Sequence, residues 1–449
     1  MTQPAPSVPP APPAPSVPPG ITHVLVGYSP VMLAKLDAAL PENSVLVVEE
    51  PAVVAARGIN DLARTHRCVG GLLTAPSQDE EHPERTVATV PRPPHVRAVV
   101  PVVEYGVVAA AALAEAWGLP GAGPKAARAL RDKALLRATV AGTDLAQPAW
   151  APARRHQDVD AFRAAHGGAC VLKPANRQAS LGVQVLDAAD DTAAAWAHTT
   201  TADEASLRAA YPDAARYLVE QRLYGPEVSV EAVVHEGLLG FTNITAKTVQ
   251  DSRHPVETGH TLPAGLPEPQ AAALRGAVAV LVAATGFRSG VLHSEWILHE
   301  GRPHLVECAG RLPGGGITAL IDLAYDTDIL AALLAVLDGS DTGHGPGAGG
   351  AVPLPPLTAV RGAAVRFLRA AAGQVADVRG AEPARLAPGV HELHLAVAPG
   401  HTVHTVTSSW QRAGYVIATG PDAAAAARNA EAAAALVTIE TTPAPGGGR

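Results

Sequence analysis

The stretch VLHSEWILHEGRPHLVECAGR, residues 291–311, sets two glutamates against each other across a turn. Residues 291–298 and 303–308 are apolar-rich runs, and His299–Arg302 between them carries turn residues, so a β-hairpin is expected with Glu295 and Glu307 nearly opposite each other on its arms. Like charges at that separation repel. A divalent cation removes the conflict, and Mg²⁺ takes one or two carboxylates and fills its other positions with water and substrate phosphates. The alternative is a pair of rim glutamates on a solvated hairpin. Strand alternation points Trp296 to the opposite face, into a core.

Working outward, 449 residues suffice for about three domains with substantial cores. A net charge of -8 without Lys/Arg clusters argues against a nucleic-acid partner and for small-molecule substrates. No basic segment precedes an apolar stretch at the N-terminus. The longest apolar-looking segment, residues 96–119, is interrupted by Arg97, Pro101, Glu104 and Glu115, so the chain is expected to be neither secreted nor membrane-spanning. Cys68, Cys170 and Cys308 show no pairwise or metal spacing, which suits reduced thiols in a cytoplasm; Cys170 and Cys308 fall in expected buried strands. Lys35, Lys125, Lys133, Lys173 and Lys247 are the only lysines among 34 basic residues, and where arginine is the default cation a lysine marks a need for a compact point charge.

Residues 1–20 repeat APSVPP twice and are expected to be a low-complexity, extended and disordered arm outside the fold. From residue 21 to 121, β-branched runs (HVLVG, SVLVVEE, RAVVPVVE) alternate with helical stretches near 30–40, 51–63 and 105–117, the pattern of an open parallel α/β domain. Its first βα turn, Gly27-Tyr28-Ser29-Pro30, lacks a dinucleotide fingerprint. A single helix is expected over 124–140. Strands follow at 170–174, 182–186, 217–223, 227–235 and 238–248, then a helix at 268–285, the hairpin, and helices within 316–338. Residues 122–340 form one unit, with lobes of about 122–214 and 215–340. A Gly/Pro linker at 341–356 precedes a small α+β domain at 357–441 and a tail at 442–449.

Three further segments carry chemistry. CVLKPANRQASLGVQV (170–185) places Lys173 at the root of a strand-loop-strand whose free N–H groups suit anionic oxygens, or else is a hairpin with an exposed lysine. YLVEQRLYGPEVSVEAVV (217–234) puts Glu220, Gln221 and Leu223 at a strand end and Glu227 at the start of the next strand, suited to an adenine and ribose hydroxyls, or else a plain connector. HPVETGHTLPA (254–264) reads as a loop whose Glu257 and His260 suit a substrate ammonium or proton transfer near neutral pH, or are structural. Arg311 precedes Pro313-Gly314-Gly315-Gly316, a cation at a flexible turn where developing negative charge is stabilised.

In this order the segments resemble the ATP-grasp superfamily, most closely its L-amino acid ligase (carboxylate-amine ligase) branch, over about residues 22–440. The family's helical RDK matches Arg131-Asp132-Lys133 and its strand-borne KP matches Lys173-Pro174, which implies that both lysines bind nucleotide. Its hinge E-x-x-x-x-G-x-E matches Glu220–Glu227, implying that Glu220, Gln221 and Leu223 face adenine and Glu227 the ribose. The family's metal-binding glutamates fall on Glu295 and Glu307, and its catalytic arginine on Arg311. The E-x-G-H-x-x-P segment of the amino acid ligases matches Glu257–Pro263, implying that Glu257 and His260 line the amino acid pocket. Two departures stand out. The Gly-rich lid is Ala179-Ser180-Leu181-Gly182-Val183, keeping Ser180 but carrying Arg177 and Gln178 where small residues are common. Ala309 replaces an asparagine that serves many members as an extra metal ligand.

The resemblance implies an N-terminal Rossmann-like α/β domain, an ATP-grasp unit and a C-terminal α+β domain. It implies ATP and Mg²⁺ (or Mn²⁺) as cofactors, an amino acid or similar carboxylate and an amine as substrates, and an ADP-forming ligation through an acyl phosphate. A homodimer is compatible with it. The alternatives are a bicarbonate-activating carboxylase of the same superfamily and a nucleotide-binding protein without turnover.

Overall fold

The computed structural model describes residues 17–211, 216–339 and 354–443. The arm up to residue 16, the linker up to residue 353 and the tail from residue 444 lie outside the described residues. At the N-terminal end, β1 (His23–Val26), β2 (Val45–Glu49), β3 (Val69–Thr74) and β4 (Ala98–Pro101) form the expected parallel sheet, in the order β3-β2-β1-β4. Strands β1 and β2 are buried throughout, so they read as unbroken apolar runs. The helix expected at 51–63 is two, Pro51–Arg57 and Ile59–Ala63, because Gly58 at φ +61° leaves the helical conformation.

The helix expected over 124–140 is also broken. Asp132 takes an extended conformation and its carboxylate accepts from the Ala134 and Leu135 N–H groups, ending Pro124–Arg131 and capping Lys133–Val140. The break puts Lys133 at the first position of the second helix. Next comes an antiparallel sheet of β5 (Trp150–Ala153), β6 (Cys170–Pro174), β7 (Gln184–Leu186) and β8 (Tyr217–Gln221), ordered β5-β8-β6-β7. It packs Leu172 and Val219 against Phe162 of helix His156–His166. Strand β5 escapes the sequence reading because Pro152 interrupts its four residues.

The largest sheet has eight strands. Its first half is β9 (Glu227–His235), β10 (Leu238–Val249), β11 (Glu257–Leu262), β12 (Gly290–His299) and β13 (Arg302–Ala309). The chain beyond the linker supplies β14 (Gly362–Leu368), β15 (Gly373–Arg379), β16 (Val390–Leu395), β17 (Thr402–Val403), β18 (Gly414–Gly420) and β19 (Thr438–Thr442). The order β13-β12-β9-β10-β11-β14-β18-β16 makes one continuous antiparallel sheet across the linker, while β17-β15-β19 form a separate small sheet. Strand β11 corrects the loop expected at 254–264: β10 and β14 hydrogen-bond to its two edges.

In the hairpin β12–β13, Glu295 pairs directly with Glu307, and Glu300 and Gly301 turn the chain at φ +51° and +77°. Trp296 is fully buried on the other face, in the core formed with Leu136, Phe287 and helix Glu268–Thr285.

Candidate active site

The β5–β8 sheet and the eight-stranded sheet face a cavity of about 910 Å³ lined by every candidate nucleotide, metal and catalytic residue. Lys133 and Lys173 come from opposite sides of the first lobe, one from a helix start and one from β6. Lys133 Nζ lies 2.9 Å from Glu307 Oε2 and donates to the Arg177 carbonyl at 3.0 Å. Lys173 Nζ lies 2.6 Å from Glu220 Oε2, and Arg137 Nε donates to Glu220 Oε1 at 2.9 Å. Burial pushes the Lys173 ammonium below its usual range; burial raises the Glu220 carboxyl, but Arg137 and Lys173 outweigh it and hold the group below the carboxylate range. The Glu220 side chain is therefore a strut within a buried triad, and only its backbone is left to meet an adenine. Gln221 and Leu223 line the cavity beyond it.

Glu227, Glu257 and Glu295 converge on an amine that the sequence reading left without a role. Lys247 of β10, 1% exposed, lies 2.5 Å from Glu227 Oε1, 3.2 Å from Glu257 Oε1 and 2.9 Å from Glu295 Oε1. Oxygens of the three carboxylates fall within 4.8 Å of one another, a separation that suits a metal, but the ammonium already occupies the cation position among them. Burial opposes charge on Lys247, yet the three carboxylates override it and hold the group well above its usual range. Glu227 is raised by burial, with Lys247 opposing and Glu295 adding to the rise. Burial raises Glu295 too, but Lys247 and His293 hold it well below the carboxylate range. His293 is itself seated between Glu231 Oε1 at 3.0 Å and Glu295 Oε1 at 3.2 Å.

Glu295 thus spends Oε1 on Lys247 and His293, and Glu307 spends Oε2 on Lys133. The other oxygen of each has no hydrogen-bond or ion-pair partner among the described residues. Two hard oxygen donors from directly paired residues fit Mg²⁺ or Mn²⁺.

Arg311 is tethered by Nε to Glu104 Oε2 at 2.6 Å and by Nη1 to the Leu312 carbonyl at 2.9 Å. Glu104 belongs to the N-terminal domain; burial raises its carboxyl, but Arg311, Arg131 and Lys133 hold it below the usual range. In the lid, Ala179 and Ser180 both adopt positive φ, and Ser180 Oγ donates to the Pro255 carbonyl at 3.3 Å. The Arg177 guanidinium lines the cavity with Nε and Nη1 buried and without partners.

His260 is 3% exposed and Nδ1 has no partner. Burial lowers its pKa; Glu257 opposes this, and Lys247 and Arg412 add to it, leaving a value of about 3. Burial thus holds the imidazole toward its neutral form. Glu257, held at about 2 by Lys247, His260 and Arg412 despite burial and the Glu295 charge, has both oxygens engaged. Arg412 comes from the C-terminal domain, so no local sequence signal ties it to this site. For Lys247 the signal was the scarcity of lysine.

A sequence model for the ATP-grasp domain matches residues 167–319, and one for the L-amino acid ligase C-terminal domain 2 matches residues 366–442. An uncharacterized protein, y4rH, of Sinorhizobium fredii (strain NBRC 101917 / NGR234) is 26% identical over 69% of this chain and 61% of its own length. A D-alanine–D-alanine ligase of Anaeromyxobacter sp. (strain Fw109-5) is 30% identical over 46% of this chain and 66% of its own. The chain thus spans less than two thirds of the length of these curated relatives. The crystal structure of an L-amino acid ligase from Bacillus licheniformis shares the fold at a TM-score of 0.73 with 17% identity, covering 94% of this chain and 99% of that one. The chain thus carries an ATP-grasp domain followed by the C-terminal domain 2 of L-amino acid ligases, in the order that the resemblance in its sequence implies. No helix among the described residues is long and apolar enough to cross a membrane.

Proposed function

We propose that the protein is an ATP-dependent carboxylate-amine ligase that joins an amino acid, or a similar carboxylate, to an amine through an acyl phosphate, releasing ADP and phosphate. The observation that carries this reading is the convergence of Lys133, Lys173, Glu295, Glu307 and Arg311 on one cavity. Lys133, Lys173 and the lid around Ser180 hold the phosphates, with Arg177 in reach of the same cavity. The backbone from Glu220 to Leu223 meets the adenine, and Glu227 accepts from the ribose. Glu295 and Glu307 would hold Mg²⁺, which when bound would supply charge neutralisation for phosphoryl transfer. Arg311, fixed at Nε and Nη1, turns Nη2 to the oxyanion formed when the amine attacks the acyl phosphate. The lobes and the glycine run after Arg311 enclose the carboxylate and exclude water that would hydrolyse the acyl phosphate.

Replacing Glu307 by Gln is expected to abolish ADP release while leaving the fold intact. Near-normal amide synthesis by that variant refutes the metal role. ADP release with bicarbonate instead of any acid and amine pair favours a carboxylase, and tight ATP binding without hydrolysis under every pairing favours a protein without turnover.

A further inference from the structure

The turn Ser408–Arg412 of the C-terminal domain reaches back into the cavity. Ser408 folds it through a capping box with Gln411. Four contacts fix it there. The Ser409 N–H donates to the Ala179 carbonyl of the lid at 3.0 Å, and Ser409 Oγ to Glu257 Oε2 at 3.2 Å. Trp410 Nε1 donates to Glu204 Oε2 at 3.1 Å, and Arg412 Nη2 donates to Glu257 Oε2 at 2.7 Å. The Arg412 guanidinium also lies over the Phe367 ring, 3.6 Å from its centroid. Ser409, Trp410 and Arg412 all line the cavity.

Arg412 is more than a strut. Nη2 takes Glu257, but Nε is buried with no partner and Nη1 makes no hydrogen bond among the described residues. An orphaned guanidinium donor in a buried place costs free energy unless a ligand supplies the acceptor. Phe367 beneath and Glu257 beside it fix its plane, which is the pre-organisation that planar recognition of a carboxylate requires. The other cations of the cavity are spoken for: Lys133, Lys173 and Arg177 stand at the lid and nucleotide end, Arg311 is tethered to Glu104, Lys247 lies among three acids, Arg131 pairs with Glu80 and Glu104, and Arg222 with Asp187 and Asp251. Arg412 enters from the C-terminal domain, beside Glu257 and His260.

Resting on the ligase reading above, we propose that Arg412 is a specificity-determining residue that binds a carboxylate of the amine-side substrate, so that the C-terminal domain completes this subsite. The acceptor is therefore chosen for a negative group near its nucleophilic amine. The test compares a free amino acid with its carboxamide as acceptor, at saturating ATP and acid, for the wild type, Arg412→Met and Arg412→Lys. Wild type is expected to prefer the free acid. Arg412→Met is expected to reduce that preference by about 10- to 100-fold, the worth of a hydrogen bond to a charged group, through KM for the acceptor rather than kcat. Arg412→Lys keeps the charge without the fork and retains part of the preference, and it supplies the same ratio should the methionine variant not fold. Equal losses on both acceptors, or a raised KM for ATP alone, assign Arg412 a structural role and overturn the proposal. A wild type that shows no preference overturns it as well. A wild type that releases ADP with no acid and amine pair brings down the ligase reading itself, and the proposal with it.

Discussion

Replacing Lys247 by Met keeps a similar stem and deletes one buried charge. Three carboxylates and one ammonium sum to −2; without the ammonium the group stands at −3. Removing one partner of a buried ion group costs about 3–5 kcal/mol. Glu227, already raised with Lys247 present, is the carboxyl expected to take up a proton when the ammonium is gone. A carboxyl whose folded value is raised adds stability fully below its unfolded value and loses it as pH rises through the folded one. The defect should therefore shrink on acidification, being smaller at about pH 5.5 than at about pH 8. Urea unfolding followed by tryptophan fluorescence suits the measurement, because Trp296 is buried on the opposite face of the same sheet. A variant as stable as wild type at pH 8, or one whose defect is the same at both pH values, refutes the assignment of Lys247 as the neutralising centre. Adding Glu257→Gln to the variant should restore part of the loss, since it removes one of the stranded charges.

Glu204 links three parts of the molecule, accepting from Tyr105 and from Trp410, and burial pushes its carboxyl up to about 8. The stability it contributes is complete below its unfolded value and drains as pH rises through about 8, so wild type should lose about 2–3 kcal/mol between about pH 6 and pH 8 that Glu204→Gln does not lose; parallel pH profiles of thermal unfolding count against this. Gly225 holds φ +151° in the connector between Leu223 and Glu227, and an added Cβ would sit 2.3 Å from the Leu298 carbonyl oxygen. Gly225→Ala should cost about 1–3 kcal/mol and weaken ATP binding, measured by calorimetry; unchanged affinity separates the connector from nucleotide recognition.

What the sequence discloses here depends on how far apart the deciding residues lie. The hairpin is legible because alternation and a two-residue turn are local signals, but the direct Glu295–Glu307 pairing also needs a bulge at Val306, without which Glu295 would face Val306 itself. The parallel sheet is legible from its unbroken apolar runs. Strand β11 is not, because Gly259, His260 and Pro263 read as loop and its extended state comes from β10 and β14 on its two sides. The break at Asp132 hides inside a strong helical pattern, where only the cap chemistry of one aspartate gives it away. Glu220 looks like an adenine contact until Arg137, far off in sequence, claims its carboxylate. Glu257 likewise looks free until Arg412 arrives from beyond the linker.

The sheet that crosses the linker constrains how this protein can be taken apart. Strand β14 pairs with β11 residue by residue from Gly259–Arg366 to Leu262–Ala363, so the described chain beyond the linker is not an appendage. A truncation at the linker would bare the edge of the strand that carries Glu257 and His260, inviting the self-association to which open strand edges are prone. The smaller sheet of β5 to β8, by contrast, faces the cavity without a ladder to any other sheet among the described residues, so its seat rests on side chains and loops alone.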